Sequence, residues 1–263
     1  MKCSVIAASL ACVLAGPAAA ADAPHNVLLF VADGLRPGMV NEHTAPTITA
    51  LWKQGVRFTN THSMFPTFTT ANASAMATGH KLGDIGDFSN TIDAGFQVPG
   101  AGDSLTPFLE SDPVLGDVDE HYSGDYLNQE TVMKAARLAG ISTATIGKLG
   151  PAFIFDHTER SGEQTIVIDD MTGRNGGIVL GKDLQARLMS AGLGIQAPTR
   201  GDNGQAGDVR KAGTLQANIV QQDYSSARRP KLYCRCSKGG RSRSCWCFGH
   251  ETRTARNTIR VTA

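Results

Sequence analysis

The run Asn26-Val27-Leu28-Leu29-Phe30-Val31-Ala32, apolar after its first residue, ends on Asp33-Gly34 and marks a strand at 26–32. A continuous run of this length, bounded by turn residues, predicts a fully buried strand of a parallel sheet, because strands covered on both faces show no polar alternation. Gly34, Pro37 and Gly38 predict a loop. Ala45 to Gly55 predicts a helix with Ile48, Leu51 and Trp52 on one face and Gly55 as its C-cap. Val56–Asn60 alternates like a strand. A hydroxyl-rich turn at Phe65–Thr70 leads into Ala71–Thr78, whose small residues suit a helix packed closely under a site. Gly79 to Gly102 is glycine-rich loop. Asn128–Ala139 predicts an amphipathic helix carrying Val132, Ala135, Ala136 and Leu138, and Ile141–Gly147 the strand after it. Ala152–Phe155 and Thr165–Ile168 are short strand candidates, and Asp183–Ala191 and Val209–Gln222 are helix candidates. Strands alternating with helices predict an α/β fold with a largely parallel sheet. In such sheets ligands bind beyond the carboxyl ends of the strands, which is where Asp33 falls.

The periodic pattern stops at Tyr224, and the charge changes with it. Residues 1–224 carry 15 Lys and Arg against 23 Asp and Glu, while residues 225–263 carry 10 against a single acid. Cys234, Cys236, Cys245 and Cys247 also lie in this tail, and between Cys12 and Cys234 there is no cysteine, so the main body needs neither a disulfide nor a thiolate metal site. Three readings fit the tail. It is a four-thiolate metal knot, a basic arm for nucleic acid, or a segment translated out of frame, whose Arg/Ser/Cys/Gly mix supplies no core. The out-of-frame reading, with a disordered tail and no specific nucleic-acid partner, is preferred.

The first 21 residues have the plan of a secretory signal: Lys2, an apolar stretch from Val5 to Leu14, a break at Gly16-Pro17, and Ala18-Ala19-Ala20 as a small-x-small cleavage site. The apolar stretch is short of the roughly 20 residues a membrane span needs, and no later segment is a span candidate. The expected organisation is a signal peptide at 1–21, a catalytic-domain portion at 22–224 and the basic tail at 225–263, with a periplasmic or secreted location.

Asp33 after a strand is a candidate for a metal or phosphate-linked role, with a turn or N-cap aspartate as the structural alternative. Thr67, Thr69 and Thr70 share one turn, but threonines also cap helices, and a threonine hydroxyl is a poor nucleophile until its proton is taken. The order of the motifs is more specific. Pro66-Thr67-Phe68-Thr69-Thr70-Ala71-Asn72, then Thr78-Gly79, then Gly86 and Asn90, resembles the type I phosphodiesterase/nucleotide pyrophosphatase branch of the alkaline phosphatase superfamily. Val31-Ala32-Asp33-Gly34-Leu35-Arg36 resembles its metal-binding strand end. Thr44–Leu51 and Gly55–Asn60 resemble a segment shared with phosphatases and sulfatases, and Thr131 to Lys148 a later helix and strand.

The resemblance implies an alkaline-phosphatase-like three-layer α/β/α fold, incomplete in this chain, and a metal-dependent phosphoric ester hydrolase acting on small phosphate esters. It implies Thr69 as nucleophile and metal ligand, Asp33 as zinc ligand, and Asn90 and the Thr70 N–H as donors to phosphate oxygens, with two zinc ions in the complete site. Ile85 stands where many relatives have histidine before the glycine. The second-half Asp and His ligands have no counterpart in the right context, so weak or absent activity is expected. Asp156-His157 is followed by Thr158 rather than glycine and is expected to be an exposed turn. His25, His43, His62, His80 and His121 are expected at the surface or behind the site, and His250 lies in the tail. The rival readings are a sulfatase or phosphoglycerate-mutase-like member of the superfamily, and a non-catalytic secreted binding protein.

Overall fold

The computed structural model describes residues 27–199, 218–236 and 243–249, with 228–236 and 243–249 defined by their backbone. The proposed signal segment and residues 209–217 of one expected helix lie outside the described residues. Among the described residues, four parallel strands form the sheet: β1 (Val27–Ala32), β2 (Ser142–Ile146), β3 (Thr165–Ile168) and β4 (Arg243–Gly249), in the order β1-β4-β2-β3. Helices α1 (Pro46–Gln54), α2 (Thr69–Thr78), α3 (Leu82–Ile85), α4 (Asp112–His121), α5 (Val132–Leu138), α6 (Pro151–Ile154), α7 (Lys182–Ser190) and α8 (Ile219–Cys236) complete it.

Side-chain alternation along the strands divides the interior into two layers. Val167 on β3 and Leu29 and Val31 on β1 join the larger core, built on Ala73, Ala77, Leu115, Met133, Phe153 and Phe155 from the helices on that face. Ile146, Ile166 and Ile168 point the other way, onto Leu184 and Leu188 of α7 and Tyr224 of α8. Helices therefore cover both faces of a small parallel sheet. This is the expected α/β architecture, in partial form.

Several expectations change. β1 is only partly covered: Leu28 is 61% exposed and Phe30 39%, because α7 and α8 cover β2 and β3 on that face and do not extend over β1. Val56–Asn60 is irregular chain rather than a strand, with Val56 and Phe58 exposed and no neighbouring strand among the described residues to take its backbone groups. Ala152–Phe155 is not a strand either. Pro151, with its fixed φ and missing N–H, opens α6 there, and its apolar residues are buried on all sides. Asp156-His157 is not an exposed turn: both residues are buried, for reasons given below. The tail expected to lack regular structure is placed differently too. α8 runs through Tyr224 to Cys236, and 243–249 supplies β4 between β1 and β2, where the backbone groups of those two strands would otherwise lack a ladder partner.

Candidate active site

Helix α2 positions the site. Its buried face is Ala71, Ala73, Ser74 and Ala77, small enough to let the helix axis come close to its neighbours, and Gly79 ends it in the left-handed conformation with φ +74°. Asn72 stitches the preceding turn to this helix. Its Oδ1 accepts from the Met64 N–H at 2.7 Å and its Nδ2 donates to the Phe68 carbonyl at 2.9 Å. The asparagine of the Pro-Thr-x-Thr-x-x-Asn pattern is thus a brace for the turn that carries Thr69.

Thr69 occupies the first turn of α2, partly exposed, and its Oγ1 donates to Asp33 Oδ2 at 3.4 Å. Asp33 lies just past the carboxyl end of β1, so strand and helix bring together two residues 36 positions apart in the chain. Thr70 is buried. Its N–H donates to Asn90 Oδ1 at 2.9 Å, while its Oγ1 lies 3.0 Å from the Ser89 carbonyl and 3.1 Å from Asn90 Oδ1. The four expected site residues, Asp33, Thr69, Thr70 and Asn90, therefore cluster around the N-terminus of α2. The Thr70 N–H, expected to be open for an anion, is engaged by Asn90.

The nitrogen end of the Asn90 amide faces Glu110, donating to Oε1 at 3.4 Å, and Lys148 pairs with the other Glu110 oxygen at 2.7 Å. Beneath the loop that carries Asn90, Asp87 Oδ2 accepts from Ser74 Oγ at 2.6 Å and from the Tyr126 hydroxyl at 2.8 Å. Burial pushes the Asp87 carboxyl above its ordinary value, against these hydrogen bonds, and burial likewise pushes the Tyr126 hydroxyl well up. Asp87 opens the Asp87-Phe88-Ser89-Asn90 stretch that the sequence marks and Lys148 closes the later strand motif, but neither was given a role, and Glu110, Ser74 and Tyr126 were not among the residues singled out. Their contacts join segments far apart in the chain, and the local pattern carries no signal of that.

Asp156 and His157 serve the scaffold instead. Asp156 accepts from Arg137 Nε and Nη2 at 2.9 and 3.1 Å and from Thr165 Oγ1 at 2.5 Å. His157 Nδ1 lies 2.8 Å from Asp119 Oδ1, and Arg160 reaches the second Asp119 oxygen at 3.2 Å. Burial pushes the Asp119 carboxyl up, and the hydrogen bond from His157 with neighbouring positive charge brings it below its ordinary value. These pairings explain why two polar residues are tolerated in the interior. His43, His62, His80 and His121 are exposed, as expected, and His121 stacks on Phe96 with ring centroids 3.6 Å apart.

The donor set can be tested against a catalytic metal. Asp33 and Thr69 offer two oxygens, and among the described residues no group of three His, Cys, Asp or Glu side chains is arranged to hold an ion. A catalytic zinc ordinarily has three protein ligands, so these residues by themselves do not make a complete centre. Among the described residues no helix is long and apolar enough to cross a membrane.

No curated protein and no solved structure matches the chain. Residues 27–194 match the family described as type I phosphodiesterase / nucleotide pyrophosphatase, a stretch that includes Asp33, Thr69, Thr70 and Asn90. Its members are phosphoric ester hydrolases and are generally metal-dependent. On this match over more than half of its length, the chain belongs to the type I phosphodiesterase/nucleotide pyrophosphatase family.

Proposed function

We propose that the chain carries the N-terminal part of an exported phosphodiesterase, with Thr69 as nucleophile and a small phosphate ester as substrate. The observation that supports this best is the approach of Thr69 Oγ1 to Asp33 Oδ2 at the N-terminus of α2, with Asn90 beside it. In the proposed reaction Thr69 Oγ1 attacks phosphorus while its proton leaves toward Asp33. A bond from phosphorus to the threonine oxygen forms, and the bond to the ester oxygen breaks. The departing alkoxide or aryloxide takes a proton from water, and a water molecule then hydrolyses the phosphothreonine. Asn90 keeps one amide N–H for a phosphate oxygen while the other faces Glu110. The helix N-terminus favours the same negative charge.

A divalent ion, proposed to be zinc, supplies charge neutralisation to such chemistry in the complete family site. Asp33 and Thr69 are this chain's proposed contribution, and their two oxygens leave the coordination incomplete. The 263-residue chain is therefore proposed to be weakly active or inactive. The charge reversal after Tyr224 is the observation behind the proposed out-of-frame origin of residues 225–263, against which stands the pairing of 243–249 with β1 and β2, and the first 21 residues support export to the periplasm or medium.

The test compares two proteins with bis-p-nitrophenyl phosphate and added zinc: the 263-residue chain, and one continued from codon 225 in the alternative frame. The expected result is little turnover by the first, and turnover by the second that disappears in Thr69→Ala. Turnover that survives Thr69→Ala would overturn the nucleophile. Robust Thr69-dependent turnover by the 263-residue chain would overturn the incomplete site.

A further inference from the structure

We infer that Glu110, held by Lys148, is a positioning residue that fixes the orientation of the Asn90 amide. The inference rests on the proposed role of Asn90 at the phosphate site and extends it to two residues to which the sequence gives no role. An asparagine amide has nearly the same shape either way round, so its orientation is set by what faces its two ends. At Asn90 the oxygen end accepts from the Thr70 N–H at 2.9 Å, and the nitrogen end faces the Glu110 carboxylate at 3.4 Å. An ionised carboxylate only accepts hydrogen bonds, so Glu110 admits the nitrogen end and repels the oxygen end. Without Glu110 the nitrogen end loses the contact that fixes it, and the amide is held from its oxygen end alone.

Lys148 makes this arrangement stiff. Its ammonium lies 2.7 Å from the second Glu110 oxygen, and both side chains are largely buried, at 15% and 9% exposure. It projects from the chain just beyond β2, two residues after Ile146. The backbone also ties the segments together, since the Leu109 N–H donates to the Asn90 carbonyl at 2.8 Å. The chain of contacts thus runs from the end of β2 through Lys148, Glu110 and Asn90 to the N-terminus of α2. The long contact to Glu110 orients Asn90 without consuming both of its N–H groups.

The experiment measures orthovanadate affinity by calorimetry and thermal stability for the 263-residue chain and its variants. Asn90→Ala tests the underlying site: it should weaken vanadate binding by about tenfold, the size of one lost hydrogen bond to an anion. Glu110→Met, of similar length but without an acceptor, should weaken binding to a similar extent, about tenfold. Lys148→Met keeps the acceptor and should cost about threefold or less in affinity, whatever it costs in stability. The double variant Glu110→Lys with Lys148→Glu restores an ion pair but turns a donor toward Asn90, so its affinity should stay low.

Equal losses in Glu110→Met and Lys148→Met, or full recovery in the exchanged pair, would make the pair purely structural and overturn the inference. Weakened binding in Asn90→Ala with unchanged binding in Glu110→Met would overturn it while leaving the site intact. Vanadate binding unaffected by Asn90→Ala, or absent from the unaltered chain, would overturn the site reading and this inference together.

Discussion

Thr69 donates its hydroxyl to Asp33 across 3.4 Å, joining the first turn of α2 to the carboxyl end of β1. The contact is long and partly exposed, so it contributes little to folding. Thr69→Ala should change stability by less than about 1 kcal/mol in urea denaturation, while abolishing phosphoryl transfer in any preparation that shows it. A large loss of stability would mean that Thr69 is a structural cap.

Arg137 and Asp156 make a different kind of pair. The guanidinium spans both carboxylate oxygens at 2.9 and 3.1 Å, and the Asp156 side chain is fully buried. The hydrogen bonds that Arg137 donates to Asp156 also raise the guanidinium above its ordinary value. Removing one partner leaves a buried charge without compensation. Arg137→Ala should therefore destabilise the protein by about 3–5 kcal/mol. Urea unfolding measures this, and a loss below about 1 kcal/mol would show that solvent reaches Asp156.

The positions recovered from sequence alone are those where local pattern and tertiary structure agree. Thr165–Ile168 matches β3 because its β-branched residues serve two cores, Val167 one and Ile166 and Ile168 the other. Asp33, Thr69 and Asn90 were legible through motif order, and the fold does bring them together. Ala152–Phe155 was misread because four apolar residues fit a buried helix as well as a strand, and Pro151 was the signal that separates the two. α4 was missed although Ser111-Asp112-Pro113 is a helix-start pattern; Gly116 and its several acids obscure the apolar positions Val114, Leu115 and Val118. The Glu110–Lys148 pair was beyond reach, because nothing local to either residue specifies a partner contributed by another segment.

Asp87 carries two hydroxyl donors on one oxygen. Tyr126→Phe removes one donor and leaves the carboxylate its bond from Ser74 Oγ, so a loss of about 1 kcal/mol is expected. Asp87→Ala removes the shared acceptor and strands both hydroxyls in the interior, so the expected loss is larger, about 3 kcal/mol or more. Denaturation of the two variants side by side checks the order. Equal losses would indicate that water takes over the role of the Asp87 oxygen.

Asp112 and Asp169 are neighbouring buried carboxyls, and each has one oxygen, Oδ2, without a hydrogen-bond partner. Burial pushes both upward, and the negative charge of Asp170 adds to the effect. Asp112 rises from 3.8 to about 6, and Asp169 lies well above its ordinary value. The native state therefore binds protons that the unfolded chain has already lost. Stability from this pair is fully present below the unfolded carboxylate range and is lost as pH rises through the native range. Thermal unfolding should accordingly give a Tm several degrees higher at about pH 5 than at about pH 8. Asp87, raised in the same direction, adds to the slope, whereas Asp119, held low, acts only at more acid pH. Asp169→Asn removes one of the two neighbouring carboxyls and its charge, so it should flatten the slope without abolishing it. A Tm that rises from about pH 5 to about pH 8, or a slope unchanged in Asp169→Asn, would show that the burial of these two carboxyls does not set the pH dependence.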